Sequence, residues 1–144
     1  IDFIGDITDL SQFEDNSIEE IYASHIIEHV PQNKVKETLR GIYRVLKDDG
    51  KFYVSVPDMD ILCDLFLSKK VPKERYHIMR MMFGGQTDEY DFHYFGWNFL
   101  FLKDFLAIAG FKNIERVKTF SLFDDTSDYA PYGEPISLNV IAHK

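Results

Sequence analysis

The chain has 144 residues, of which 45% are apolar and 28% are charged, a composition that fits one domain with a hydrophobic core. Its apolar runs are far shorter than the ~18 residues of a membrane span, and no signal-peptide pattern opens the chain, so we expect neither a membrane anchor nor secretion. The 16 basic and 24 acidic residues give a net charge of −8, which argues against nucleic-acid binding. The single cysteine, Cys63, fits a reducing cytoplasm, and we interpret it as a small apolar core residue of a helix.

The first third of the chain predicts two strands and a helix. Residues 1–5 are short, β-branched and aromatic, which indicates a buried strand, and because no polar lead-in precedes them we expect a further segment upstream. Residues 18–23 form a second predicted strand, which runs directly into a histidine-rich segment. From Asn33 to Leu46 apolar residues recur at helical spacing, which predicts an amphipathic helix.

The remaining two thirds continue the alternation with one interruption. Residues 51–56 read as a strand closed by Pro57, and Asp58 can cap a helix over residues 59–67. Residues 70–98 combine a short helix at 74–83, a double-glycine break and many aromatics, so we interpret them as an insertion within a single domain of residues 1–144. A last helix covers residues 99–109. Two strands, at 114–120 and 136–143, are joined by an acidic loop that lacks calcium-site spacing and is interpreted as solvated.

This order of elements predicts an α/β fold. Strands that alternate with helices pair in parallel, with helices on both faces of the sheet. The ligand site of such a sheet lies at the carboxyl ends of its strands, which here are Asp6, residues 24–29 and residues 57–60.

His25, Glu28 and His29 spell H-x-x-E-H, the zinc signature of one class of peptidases. That signature needs a helix of several turns, whereas here a strand ends near Ser24 and Pro31 follows His29, so we predict no metal site and no stoichiometric zinc. Two interpretations stay open. In the first, Glu28 and His29 brace the junction through hydrogen bonds to backbone groups. In the second, His25 faces a ligand at the edge of the sheet and orients or deprotonates it.

Several stretches, in order, resemble class I S-adenosylmethionine-dependent methyltransferases. They are Gly5-Asp6-Ile7-Thr8-Asp9-Leu10, residues 15–30 (DNSIEEIYASHIIEHV), residues 43–50 (YRVLKDDG), Ala109-Gly110-Phe111 and residues 138–144. Gly84-Gly85-Gln86 with Asp91-Phe92-His93 further resembles a subgroup of uncharacterised bacterial members. The resemblance implies a Rossmann-like methyltransferase sheet with a closing antiparallel strand. It also implies N-terminal truncation, because the family's glycine-rich motif is absent and no G-x-G occurs here.

The resemblance also implies a function and its residues. The cofactor would be S-adenosylmethionine, with Asp6 and the Ile7 amide at the adenine and Ser24 near the methionine end. His25 and His93 are the candidate bases for methyl transfer to a small or sugar-like acceptor, although His93 also fits a structural role in the insertion. Asp6 has an equally good structural interpretation, as the cap of its loop. Since the glycine-rich motif is missing, we expect these 144 residues to bind the cofactor weakly or not at all.

Two other functions stay open from the sequence. One is a non-catalytic fragment or degenerate member of the family that binds a partner, and the other is a zinc peptidase. The resemblance implies the strand order 3-2-1-4-5-7-6. If the first two strands are missing, as the resemblance also implies, the strand at 18–23 loses its neighbour. We therefore expect a homodimer with an apolar interface near residues 1–22.

Overall fold

The computed structural model describes residues 4–144, and within them a mixed sheet has the strand order β1-β2-β4-β3. The strands are β1 (Ile18–Ser24), β2 (Leu46–Pro57), β3 (Lys112–Val117) and β4 (Ser137–His143). β1 and β2 are parallel, whereas β4 runs antiparallel to both β2 and β3. The predicted α/β fold with a closing antiparallel strand is therefore confirmed.

The strand predicted at residues 1–5 is not seen in the part of the chain that the structure describes. Residues 1–3 lie outside the described residues, and Ile4 and Gly5 are exposed and belong to no strand. Ile4 has 96% of its surface exposed, so it is not part of the core.

The helices are α1 (Val35–Val45), α2 (Met59–Ser68), α3 (Pro72–Phe83) and α4 (Phe99–Ala109). Asp58 caps α2 by accepting a hydrogen bond from the Asp60 amide at 3.1 Å, as predicted. α3 begins two residues before the predicted start because Pro72, which lacks an amide hydrogen, fits the first turn of a helix. α4 ends at Gly110, whose φ of 113° is the left-handed conformation that commonly follows a helix.

The main core lies between one face of the sheet and the pair α1 and α4. Alternate residues of β2, such as Phe52 and Val54, point into it, together with Leu39 of α1 and Leu106 of α4. The segment 84–98 contributes Trp97, which is fully buried. α2 and α3 contribute to a second, smaller apolar cluster. The sequence prediction that Cys63 belongs to the core is wrong, because the thiol lies on the exposed side of α2.

The opposite face of the sheet is covered differently from the prediction. Tyr22 packs on Phe120 and Phe123, with ring centroids 5.7 and 4.8 Å apart, and Tyr53 packs on Phe120. The loop between β3 and β4, rather than a helix, therefore covers the sheet here. The loop is also attached to the sheet, since the Tyr22 hydroxyl donates to Asp125 at 2.7 Å.

β1 is an edge strand of the described sheet. It pairs with β2 on one side, and no other strand of residues 4–144 lies on its second side. Within the same residues, no helix is both long and apolar enough to cross a bilayer.

Candidate functional site

A cleft of about 730 Å³ lies beside the carboxyl end of β1. One wall is the loop that contains Asp6 and Ile7, a second is the turn that contains His25 and His29, and Tyr94 belongs to a third. The volume falls in the range of small-molecule sites, and the position is the one expected for a ligand of an α/β sheet.

The structure brings together three of the five residues that the sequence singles out. Asp6, Ile7 and His25 all line the cleft, whereas Ser24 and His93 lie outside its lining. Ser24 ends β1 and its backbone is paired with that of β2. His93 lies on the far side of His29, with the two ring centroids 4.7 Å apart.

Asp6 is exposed, and its Oδ1 accepts a hydrogen bond from the Thr8 amide at 2.8 Å. This turn is the loop cap considered from the sequence. The cap and a contact to a ligand are compatible, because a carboxylate has two oxygens and the cap occupies one lone pair.

The backbone of His25 has an unusual conformation where β1 ends. Its φ is 52°, in the left-handed region, and its amide donates to the Ser55 carbonyl at 2.8 Å. A non-glycine residue in this region carries strain of roughly 1 to 3 kcal/mol, although histidine tolerates it better than most. The conformation turns the chain sharply into the segment that holds Glu28 and His29.

The hydrogen bonds of the His25 ring fix its tautomer. The Ser137 hydroxyl donates to the Thr126 carbonyl at 2.9 Å, so at 2.8 Å from His25 Nε2 the same hydroxyl oxygen can only accept. Nε2 therefore carries the proton, and Nδ1 of the neutral ring presents a lone pair. Burial lowers the pKa of His25 to about 4, which keeps the ring neutral at pH 7. Ser137 is 112 residues away in the chain, and no local motif signals its role.

The side chain of Glu28 is buried beneath this turn, with 1% of its surface exposed. Neither carboxyl oxygen has a hydrogen-bond partner in another described residue. The nearest polar atoms are two imidazole nitrogens, His25 Nδ1 at 3.5 Å and His29 Nε2 at 3.8 Å from Oε1. Burial raises the pKa of Glu28 to about 8, so the carboxyl is mainly protonated at pH 7 without a bound cation.

His29 and His93 are also fixed in one tautomer each. Nδ1 of His29 lies 3.1 Å from the Phe92 carbonyl oxygen, and Nδ1 of His93 lies 3.0 Å from that of Met81. A carbonyl only accepts, so both Nδ1 atoms carry protons, and when either ring is neutral its lone pair is on Nε2. Burial lowers the pKa of His93, with the nearby His29 as a second cause.

The H-x-x-E-H segment does not lie on an α-helix. Only Ile27–His29 is helical, as a single 3₁₀ turn, so His25 and His29 do not share a helix face. This is the geometry expected from the sequence, and it does not match the peptidase signature. Of the bracing bonds considered earlier, His29 makes one to the Phe92 carbonyl, but the Glu28 carboxyl makes none to the backbone of another described residue.

Comparison with known proteins shows which folds this structure is similar to. Residues 2–54 match the model of a family described as methyltransferase domain. The fold is similar to that of a SAM-dependent methyltransferase from Archaeoglobus fulgidus, with a TM-score of 0.61 and 15% identity over 97% of this chain and 66% of that one. A SAM-dependent methyltransferase from Thermotoga maritima has a TM-score of 0.60 and 20% identity, over 97% of this chain and 62% of that one. Human N-acetylserotonin methyltransferase in complex with SAM has a TM-score of 0.55 and 17% identity, over 97% of this chain and 32% of that one. No curated protein matches the sequence significantly.

The chain has the fold of the class I S-adenosylmethionine-dependent methyltransferases, which confirms the resemblance to that class; the bacterial subgroup and the N-terminal truncation stay predictions. The family match covers two walls of the cleft, together with β1, α1 and most of β2, whereas the third wall, which contains Tyr94, lies outside the matched residues. The chain spans two thirds or less of the length of these solved structures.

Proposed function

We propose that this domain carries out S-adenosylmethionine-dependent methyl transfer to a small or sugar-like acceptor, with the cofactor in the cleft beside β1. The observation that carries the proposal is the convergence of Asp6, Ile7 and His25 on that cleft, all within the segment that matches the methyltransferase family. Asp6 and Ile7 are adjacent, whereas His25 comes 18 positions after Ile7, and the fold brings the two segments together at the expected edge of the sheet.

The residues present fit the adenine end of the cofactor. The Asp6 carboxylate is exposed beside the cleft and can accept a hydrogen bond from an exocyclic amino group. Ile7 is half-buried, packs on the main core and offers an apolar wall to a flat ring. The methionine end has less support in this sequence, because no G-x-G occurs in it.

When bound, the cofactor supplies an electrophilic methyl group on a positive sulfur. The protein then has to align the acceptor and remove a proton where the acceptor must lose one. We propose that His25 orients the acceptor, since its neutral ring lines the cleft and Ser137 holds the ring in place. His93 is less suited than His25 to act as a base for methyl transfer in this cleft, because His93 lies outside the cleft lining.

Titration calorimetry with S-adenosylmethionine and S-adenosylhomocysteine tests the proposal. We expect measurable but weak binding, with a dissociation constant above the micromolar range. Asp6→Ala should weaken it by roughly 1 to 2 kcal/mol, about 5- to 30-fold, the loss of one hydrogen bond to a charged group. Asp9→Ala is the matched control, because Asp9 caps the same loop through the Ser11 amide but does not line the cleft.

Three outcomes would contradict parts of this proposal. No heat at millimolar ligand would exclude cofactor binding by this chain. Submicromolar binding would show that the glycine-rich motif is dispensable. Equal affinities for the Asp6→Ala and Asp9→Ala variants would leave Asp6 as a loop cap only.

We also propose that the domain works as a homodimer in the cytoplasm, joined near residues 1–22. The unpaired side of β1 supports the dimer, because an exposed strand edge readily pairs with another chain. Cys63, the single cysteine, supports the compartment. Sedimentation at micromolar concentration tests the association, and a 16.9 kDa monomer with an ordinary cooperative melt would contradict it.

A further inference from the structure

Glu28, His29 and His93 form a compact group next to the cleft. One ligand atom from each of the three lies within 4.8 Å of the other two. The backbone holds the group together independently of these side chains, because the Tyr94 amide donates to the Glu28 carbonyl at 2.8 Å and the His93 amide donates to the Phe83 carbonyl at 3.1 Å.

Among the described residues, the basic side chains within 4 Å of the Glu28 carboxyl are two imidazoles, and no lysine or arginine pairs with it. Nδ1 of His29 and of His93 donate to backbone carbonyls, so in the neutral ring of each histidine the lone pair is on Nε2. His25 adds a third lone pair, on Nδ1, 3.5 Å from the same carboxyl oxygen. A buried carboxyl with no hydrogen-bond partner is costly, since polar groups removed from water are normally paired. A cation in the middle would satisfy the carboxylate and the imidazole lone pairs at once.

We propose that Glu28, His29 and His93 bind a divalent transition metal ion, with zinc as the best fit. Two imidazole nitrogens and one carboxylate oxygen form a ligand set of known zinc sites, and hard ions such as Mg²⁺ or Ca²⁺ prefer oxygen ligands. Three protein ligands leave the fourth tetrahedral position for water or a ligand atom. His29 lines the cleft with 28% of its side chain exposed, so this position is close to the proposed acceptor site.

The second coordination shell is already in place. Metal-binding histidines typically donate their other ring N–H to a carbonyl or carboxylate, which fixes the tautomer and the ring orientation. The Phe92 and Met81 carbonyls do this for His29 and His93. Both carbonyls belong to the region 81–92, so the ion would connect this region to the turn after β1.

The sequence argument against zinc does not apply to this group. It rested on the H-x-x-E-H helix, which would place His25 and His29 as paired ligands. Here the partner of His29 is His93, which is 64 positions later in the chain, and Glu28 acts as a ligand. Ligands contributed by separate segments need no helix. The group therefore differs from a peptidase centre, in which the glutamate activates water rather than binding the metal.

Metal binding can be measured on the whole chain without the cofactor, so its result is independent of the methyl-transfer proposal. The chain is stripped with a chelator, dialysed, and titrated with Zn²⁺ against a chromophoric chelator, and metal content is measured by mass spectrometry. We expect one equivalent of zinc. Co²⁺ in place of Zn²⁺ should give the visible absorption bands of a tetrahedral site, which report ligand geometry directly.

Variants then identify the ligands. His93→Ala and Glu28→Gln should each weaken zinc binding by at least about tenfold, since even the loss of a second-shell partner typically has that effect. His77→Ala is the matched control. His77 lies on α3, and its Nδ1 is paired with the Tyr132 hydroxyl at 2.8 Å. The His77→Ala variant should bind zinc as the wild type does. Circular dichroism checks that each variant is folded.

The proposal is overturned if the wild-type chain retains no zinc after dialysis. It is also overturned if folded His93→Ala and Glu28→Gln variants bind zinc with wild-type affinity, or if the His77→Ala variant loses as much affinity as they do. The wild-type titration decides the question even if a variant fails to fold.

Discussion

Replacing Glu28 by glutamine should remove the fall in stability between pH 6.5 and 8 that the buried carboxyl causes in metal-free protein. Burial raises the pKa of this carboxyl from an ordinary 4.5 to about 8. The folded state therefore keeps a proton that the unfolded chain has lost, and stability falls as the pH rises from 4.5 through 8. A neutral glutamine at the same position has no such proton to lose.

The size of the effect follows from the pKa values. Each pH unit in this window is worth roughly 1.4 kcal/mol, so the full penalty of ionising Glu28 is about 5 kcal/mol. His25 acts in the opposite direction below pH 6.5, because its pKa is lowered from 6.5 to about 4 and protonating it destabilises the fold. The lowered pKa of His93 has the same sign. In the unfolded chain these histidines are still half protonated at pH 6.5, so above that pH they offset part of the Glu28 effect, which by itself amounts to roughly 2 kcal/mol between pH 6.5 and 8.

Urea unfolding at pH 6.5 and pH 8, with a chelator present, measures this difference. Between the two pH values the unfolding free energy of the wild-type chain should fall by roughly 2 kcal/mol relative to that of the Glu28→Gln variant, because the two proteins share the histidine contribution. Glu37→Gln, at an exposed position of α1, is the matched control and should behave as the wild type. An identical pH dependence for the wild-type chain and the Glu28→Gln variant would refute the reasoning.

Two further predictions concern stability. Gly84→Ala should destabilise the chain, because Gly84 has a φ of 84° and an added Cβ would overlap the Asp91 carbonyl oxygen, whereas Gly41→Ala within α1 meets nothing within 4 Å and should stabilise it by roughly 0.5 to 1 kcal/mol; thermal melts of both variants test the opposite signs. Asp58→Ala should lower the unfolding free energy by about 2 kcal/mol, since the buried carboxylate both caps α2 and pairs with a guanidinium on β3, while Asp60→Ala should have a smaller effect in the same urea titration.

The fold was largely predictable because its signals are local. The helical spacing before Gly50, the cap at Asp58 and the stop at Gly110 each depend on residues a few positions apart. The way in which the loop covers the second face of the sheet was not predictable, because Tyr22 and Phe120 are about a hundred residues apart and no periodicity of the sequence indicates their contact.

The candidate site shows the same division. The sequence points to Asp6 and His25, since strand ends are visible as local patterns. It does not show that Ser137 fixes the His25 ring or that His93 meets His29 and Glu28, because these contacts depend on how β4 and the segment 84–98 return to β1. The H-x-x-E-H motif thus includes Glu28 and His29, but it does not show that His93, from outside the motif, lies beside them.

The irregular features of this neighbourhood support a bound ion through their combined cost. The His25 backbone is strained, and Glu28 is buried without a hydrogen bond to another described residue. The nearby imidazoles, when neutral, present lone pairs rather than protons to it. Elsewhere in the described chain the buried Asp58 is paired with Arg116, so an unpaired buried acid is not the general pattern of this protein. An apolar residue at position 28 would avoid the free-energy cost of burying an unpaired carboxyl. Stability alone therefore does not explain a glutamate at this position.

A ligand that binds only the folded state offsets such a cost by mass action, by about 2.7 kcal/mol at a concentration 100 times its dissociation constant. Zinc at that excess should therefore raise the melting temperature of the wild-type chain by several degrees, and this rise should be absent in the Glu28→Gln variant. Differential scanning calorimetry with and without zinc measures both. An equal rise in the two proteins would place the bound zinc away from Glu28, and the irregular features of the turn would then need a different explanation.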